Sequence, residues 1–122
     1  MTQTASKAPA KPWRAHDPAA VPATVQQALR EALRREGVEE AHFDDLLWIL
    51  AQESGGQVGV CNTSSTARGL FQLLRMHYRL NPNGEHSFGN AVEECQGGIR
   101  YVMQRYRSAA EAKRFWVQHR WY

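Results

Sequence analysis

Apolar residues recur at helical spacing in one segment of the chain after another. In residues 24–37, Val25, Ala28, Leu29, Ala32 and Leu33 fall at i, i+3, i+4, i+7 and i+8, with Thr24 as the expected N-cap and Gly37 as the stop. Next, Phe43, Leu46, Leu47 and Leu50 form a second stripe, which Trp48 and Ile49 widen. A helix apolar on most of its sides belongs at the centre of its domain. A shorter helix is expected from Gly69, carrying Leu70, Phe71, Leu73 and Leu74. In residues 90–106, Ala91, Cys95, Ile99, Val102, Met103 and Tyr106 share a face, with Asn90 and Glu93 placed to cap its start. Ser108 with Glu111 reads as a capping box that opens a last helix through Ala112 and Trp116. Loops rich in Gly, Asn, Ser and Pro occupy residues 55–68 and 79–89. Period-2 alternation is weak throughout, and a short strand or hairpin fits only within 57–66. The expected fold class is mainly α.

Composition narrows the picture only slightly. A chain of 122 residues holds one small domain, and 43% hydrophobic with 22% charged residues is ordinary for a globular protein. Residues 1–20 are rich in Ala and Pro and read as a flexible arm; residues 21–122 read as the folded domain. No run of about 18 apolar residues exists to span a membrane, and the first residues lack the apolar core of a secretory signal. The net charge of +3 suits an anionic partner without naming one. Nucleic acid is not the expected partner, because the loop between Phe71 and the helix ending at Tyr106 is too long for a helix-turn-helix. His16, His42, His77, His86 and His119 show no ligand spacing, so neither a metal nor a cofactor is expected. Cys61 and Cys95 have no metal spacing either, and read as two free thiols or as one disulfide.

The candidate chemistry lies at the end of the second helix, in "LAQESGG". Glu53 follows Leu50 by three residues, Ile49 by four and Leu46 by seven, so it shares their face. Gly55 and Gly56 then end the helix and let other backbone approach. A carboxyl on an apolar wall beside a cleft is expected to hold its proton more tightly, as a general acid must. A helix-end Glu that turns to solvent or caps a neighbouring loop is the other reading of the same pattern.

The next stretch, "SSTARGLFQLL", adds a resemblance. Glu53-Ser54, followed after a loop by Ser65, Ala67, Gly69, Leu70, Phe71 and Gln72, resembles the Glu-Ser and Ser-x-Ala-x-Gly-Leu-Phe-Gln signature of lysozyme-like lytic transglycosylases, shared with goose-type lysozymes and phage muralytic domains. Asn81-Pro82 and the terminal Ala112, Phe115, Trp116, Trp121 and Tyr122 are similar to a short branch of that superfamily. The resemblance spans residues 40–122. It implies a lysozyme-like helical domain with an active-site cleft. It also implies cleavage of the bond between N-acetylmuramic acid and N-acetylglucosamine in peptidoglycan glycan strands. Glu53 would protonate the glycosidic oxygen and then accept the proton of the muramoyl C6 hydroxyl, giving a 1,6-anhydro end. The substrate's own N-acetyl group assists, so one protein carboxylate suffices, an exception to the two-carboxylate scheme.

The acids after Glu53 fit that scheme. No aspartate follows Asp45, and Glu93, Glu94 and Glu111 sit at expected helix starts, where a solvated role at the dipole is the default. Glu85, in a loop, is the remaining candidate for the second carboxylate that a goose-type-like hydrolase needs. Among the implied substrate-binding residues, Ser54 and Ser65 supply hydroxyls, Gly69 and Leu70 supply close backbone, and Gln72 lines the cleft or satisfies backbone carbonyls. Tyr101, off the apolar stripe, is the expected sugar-facing ring; Tyr106, Trp116, Trp121 and Tyr122 are expected to pack. The chain departs from the family in lacking an Ala-Tyr-Asn triplet after the long helix, where it reads "RYRSAAEAKRFW". Arg68, Arg75, Arg79, Arg100, Arg105, Arg107 and Arg114 make this half basic, which suits a wall bearing carboxylates and anionic polymers. The expected protein is a monomer acting at the cell wall, delivered by a phage, by a secretion system or after loss of a leader. A non-catalytic wall-binding module of the same fold is the rival class.

Overall fold

The first apolar stripe folds as helix α1, Ala23–Glu36, burying Val25, Ala28, Leu29, Ala32 and Leu33. A computed structural model describes residues 16–119. Residues 1–15 of the expected arm, and Trp121 and Tyr122, lie outside the described residues. Helix α1 starts behind Pro22 and not behind Thr24, because Pro pre-sets a helical entry and Val25 and Gln26 both bond back to the Pro22 carbonyl. It ends at Gly37 in the left-handed region.

Helix α2, Phe43–Ser54, is the central element. Seven of its residues are buried, and it packs against both α1 and the last helix. Helix α3, Ala91–Tyr106, is capped as expected, with the Asn90 side chain accepting from the Glu93 N–H at 3.0 Å. Helix α4, Ala109–His119, opens on Ser108, whose hydroxyl accepts from the Glu111 N–H at 3.1 Å. The domain is mainly helical, and the described residues contain no strand. The strand or hairpin expected within 57–66 is replaced by isolated bridges, Cys61 with Arg68 and Arg68 with Leu73.

The helix expected from Gly69 does not form. Arg68 and Leu73 exchange backbone bonds at 3.0 and 3.1 Å around a tight turn, with φ +84° at Gly69 and +52° at Gln72. Two left-handed residues in four cannot continue a right-handed helix. The helical stretch comes later, as a 3₁₀ segment at Arg75–Leu80. The turn sends Leu70, Phe71 and Leu73 into the core. Phe71 lies flat on α3 because Gly97 and Gly98 stand there; a Cβ at Gly98 would overlap its ring, and one at Gly97 would overlap the Asn81 side chain. That explains two glycines in the middle of a helix, where each costs about 1 kcal/mol of propensity.

Residues 16–20, expected within the flexible arm, are docked on α2. The His16 N–H donates to Gln52 Oε1 at 2.9 Å and Gln52 Nε2 donates to the His16 carbonyl at 2.8 Å. Val21 is buried beside Gly56, where a Cβ would press on Val21 and Pro22.

Candidate active site

Glu53 stands on the last turn of α2, half-buried, and the left-handed Gly55 caps the helix behind it. The side chain faces a polar cleft of about 640 Å³. One wall is the helix end, Glu53 to Gly55; the other is the loop Val60–Ser64; Gln57, Gln72 and His16 complete the described lining. Glu53 is the only carboxylate among the described lining residues.

The position of Glu53 is set from the far end of the chain. Trp116 Nε1 on α4 donates to Glu53 Oε2 at 2.8 Å. Trp116 is buried, and its ring meets Trp48 of α2 edge to face, with centroids 5.4 Å apart. Apolar packing between α2 and α4 thus aims an indole N–H at the carboxylate. Trp116, expected only to pack, also holds the candidate acid. Nothing in the local spacing could reveal this, since 63 positions separate the two residues.

Tyr101 and Tyr106 lie on the same side. Burial pushes both phenols above their ordinary range; for Tyr101 the Tyr106 and Glu53 charges act in the same direction and Arg105 opposes. Both phenols are therefore uncharged at neutral pH. Tyr101 is not the sugar-facing ring expected of it. It is 3% exposed, edge-on to His77 at 4.9 Å and to Tyr106 at 6.4 Å. Its position on α3 turns it under the Arg75–Leu80 segment, and it does not line the Glu53 cleft.

The remaining candidates divide. Ser54 and Gln72 line the cleft. The Ser54 hydroxyl donates to the Leu50 carbonyl at 3.2 Å and accepts from the Gly56 N–H at 3.1 Å, securing the end of α2. Gln72 Nε2 donates to the Val60 and Gly69 carbonyls at 3.1 and 3.0 Å, tying the far wall to the turn. Ser65 does not line the cleft; its hydroxyl accepts from the Ala67 N–H at 3.1 Å and shapes a turn. Gly69 and Leu70 are buried away from it, because Glu94 and Phe88 press on Gly69 and the Leu70 side chain enters the core.

Glu94 overturns its expected solvated role. It is 2% exposed and accepts from Gly59 N–H at 3.2 Å, Leu70 N–H at 2.7 Å and Gly89 N–H at 2.7 Å. One buried carboxylate thus gathers three loops, including the base of the cleft's far wall. Glu85 is exposed, 3.7 Å from Arg68, and does not line the cleft, so it is no second carboxylate there.

Cys61 and Cys95 are free thiols, and the disulfide alternative does not hold. Cys95 points into the core, whereas its neighbour Glu94, about 100° round the helix, is the residue that meets the loop. Cys61 is exposed on the cleft rim. The described residues hold no group of three or more His, Cys, Asp and Glu arranged for a metal.

No family model matches the chain, and neither a curated protein nor a solved structure matches it.

Proposed function

We propose that this domain is a peptidoglycan lytic transglycosylase in which Glu53 is the acid and then the base. The observation that carries the reading is a single carboxylate on the wall of a polar cleft, held by a donor at 2.8 Å. Together with the Glu-Ser and Gly-Leu-Phe-Gln resemblance, a lone acid favours intramolecular closure over attack by water, which needs a second carboxylate as base.

The chemistry follows from the donor. An indole N–H can only donate, so the bond from Trp116 fixes Glu53 through an acceptor oxygen. In the proposed step Glu53 gives a proton to the glycosidic oxygen as the C1–O bond breaks, with the substrate's acetamido group stabilising C1. The muramoyl C6 hydroxyl then closes on C1 and returns its proton to Glu53. The uncharged wall of Ser54, Asn62, Thr63, Ser64 and Gln72 suits the hydroxyl and amide groups of a glycan. The proposed setting is a monomer acting at the cell wall on glycan strands. The described residues contain no helix long and apolar enough to cross a membrane.

The test is mass spectrometry of purified peptidoglycan after digestion with the wild type and with Glu53→Gln. Muropeptides ending in 1,6-anhydromuramic acid, absent with the variant, are expected. Reducing ends would mean hydrolysis. Intact strands from walls of several chemotypes would sink the enzymatic reading in favour of a binding module.

A further inference from the structure

The seven described arginines of the catalytic half are not equivalent. Arg68 faces Glu85, Arg100 faces Glu36 and Arg114 faces Glu111, at 3.7, 2.9 and 2.6 Å. Arg75, Arg79, Arg105 and Arg107 have no carboxylate within ion-pair distance among the described residues. Two of these four, Arg79 from the 3₁₀ segment and Arg105 from α3, line one groove of about 280 Å³ with His77, Leu80, Tyr101 and Gln104. No acid lines it.

Two exposed guanidiniums from separate elements line this groove with no carboxylate beside them among the described residues, so an anion that enters meets donors from both sides. Arg105 is partly oriented already: its Nε donates to Tyr106 Oη at 3.1 Å, and its guanidinium lies 5.5 Å from the Tyr106 ring centroid. Its two terminal nitrogens have no protein acceptor among the described residues, and neither does the Arg79 guanidinium. The groove is polar, small and rimmed by planar donors, which match an oxyanion better than a sugar ring.

We propose that this groove is a second binding site, which takes an oxyanion group, the carboxylate of a peptide substituent carried by the glycan strand. Its position carries the link to the strand, and this link rests on the glycan reading. Tyr101 forms a wall of the groove and meets Tyr106 at 6.4 Å, Tyr106 packs on Phe115 of α4 at 5.4 Å, and the next residue of α4, Trp116, bonds Glu53. A run of aromatic rings across α3 and α4 thus connects the cationic recess to the element that holds Glu53. Occupation of the recess would favour strands that keep their peptides over bare glycan, through charge-assisted bonds that a neutral substituent cannot make.

Titration of the wild-type chain, followed by NMR at His77 and at the Nε–H groups of Arg79 and Arg105, tests the site without any turnover. The probes are a short peptide with a free terminal carboxylate, the same peptide amidated, and inorganic phosphate. The carboxylate peptide is expected to shift these signals saturably, and the amidated one to bind about tenfold more weakly or not at all. The Arg79→Ala, Arg105→Ala double variant is expected to lose that preference, while its cleavage of peptide-stripped strands stays at the wild-type rate. Saturable binding of phosphate but not of either peptide keeps the oxyanion site and assigns it to phosphate-bearing wall polymers. Absence of saturable shifts with every probe, or shifts that survive the double substitution, overturns the proposal. Should binding appear where no wall is cut, the anion site stands and only the enzymatic reading fails.

Discussion

Trp116 and Glu53, 63 positions apart, are joined by a 2.8 Å hydrogen bond from the indole N–H to Oε2. Replacing Trp116 with Phe removes the donor and keeps most of the packing on Trp48. Stability is expected to fall by about 1 kcal/mol or somewhat more for the smaller ring. Under the proposed activity, the release of muropeptides is expected to fall about tenfold to a hundredfold, in kcat more than in KM, because Glu53 is no longer held in line. Thermal unfolding and steady-state rates measured on one preparation separate the two effects. An equal loss in both would make Trp116 a packing residue only.

Glu94 makes a contrasting prediction. Its two oxygens accept three backbone N–H groups in the interior. Glu94→Gln leaves one acceptor oxygen and turns an amide NH₂ toward N–H donors. Denaturant unfolding is expected to show a loss of about 3 kcal/mol. Hydrogen exchange at Gly59, Leu70 and Gly89 should rise with it, since these are the amides released.

The two thiols are expected to react very differently. Burial, with the adjacent Glu94 charge adding to it, pushes the Cys95 thiol far above its ordinary range, whereas Cys61 is exposed. A thiol reagent at neutral pH should label one cysteine in the native chain and both in denaturant. Mass mapping to Cys61 checks the assignment. If neither thiol reacts until the protein is reduced, a disulfide is present and the free-thiol arrangement is wrong.

Acid sensitivity is expected from Glu36, which ties α1 to α3. The bidentate bond from Arg100, at 2.9 Å on each oxygen, holds the Glu36 carboxyl below its ordinary 4.5, with burial opposing. A carboxyl with a lowered folded-state value stabilises the fold fully above the ordinary range and loses that contribution as pH falls through the lowered value. Because the Arg100 side chain is about one-third exposed, Glu36→Gln is expected to cost only about 1 kcal/mol at neutral pH. The gap between wild type and variant should close as pH is lowered toward 3. A gap that stays constant with pH would assign the loss to the amide and not to the charge.

Much of the domain was legible in the chain because helices announce themselves locally. The stripes of Val25 to Leu33, Phe43 to Leu50 and Ala91 to Tyr106 each became a helix, and the caps at Gly37, Gly55, Asn90 and Ser108 fell where the short-range chemistry put them. Glu53 could be placed on the apolar side of its helix by counting residues alone. What failed did so where distant residues decide. The turn at Gly69–Gln72 looked helical in its apolar content, but Glu94 draws in the Leu70 N–H and φ turns positive at both ends. Glu94 looked like a solvated helix-start acid until three loops converged on it. Tyr101 was read by its absence from the stripe, yet the Arg75–Leu80 segment folds over it.

The sequence by itself determined the helical class, the element order and the face on which Glu53 stands, because those depend on periodicity and on contacts within a turn or two of helix. Only the tertiary structure decided that Trp116 holds Glu53, that Ser65, Gly69 and Leu70 leave the cleft to Ser54 and Gln72, and that Arg79 and Arg105 share a groove. Each of these joins residues from different elements, and a hydrogen bond or a shared cavity between them exists only once helix packing has fixed their distance.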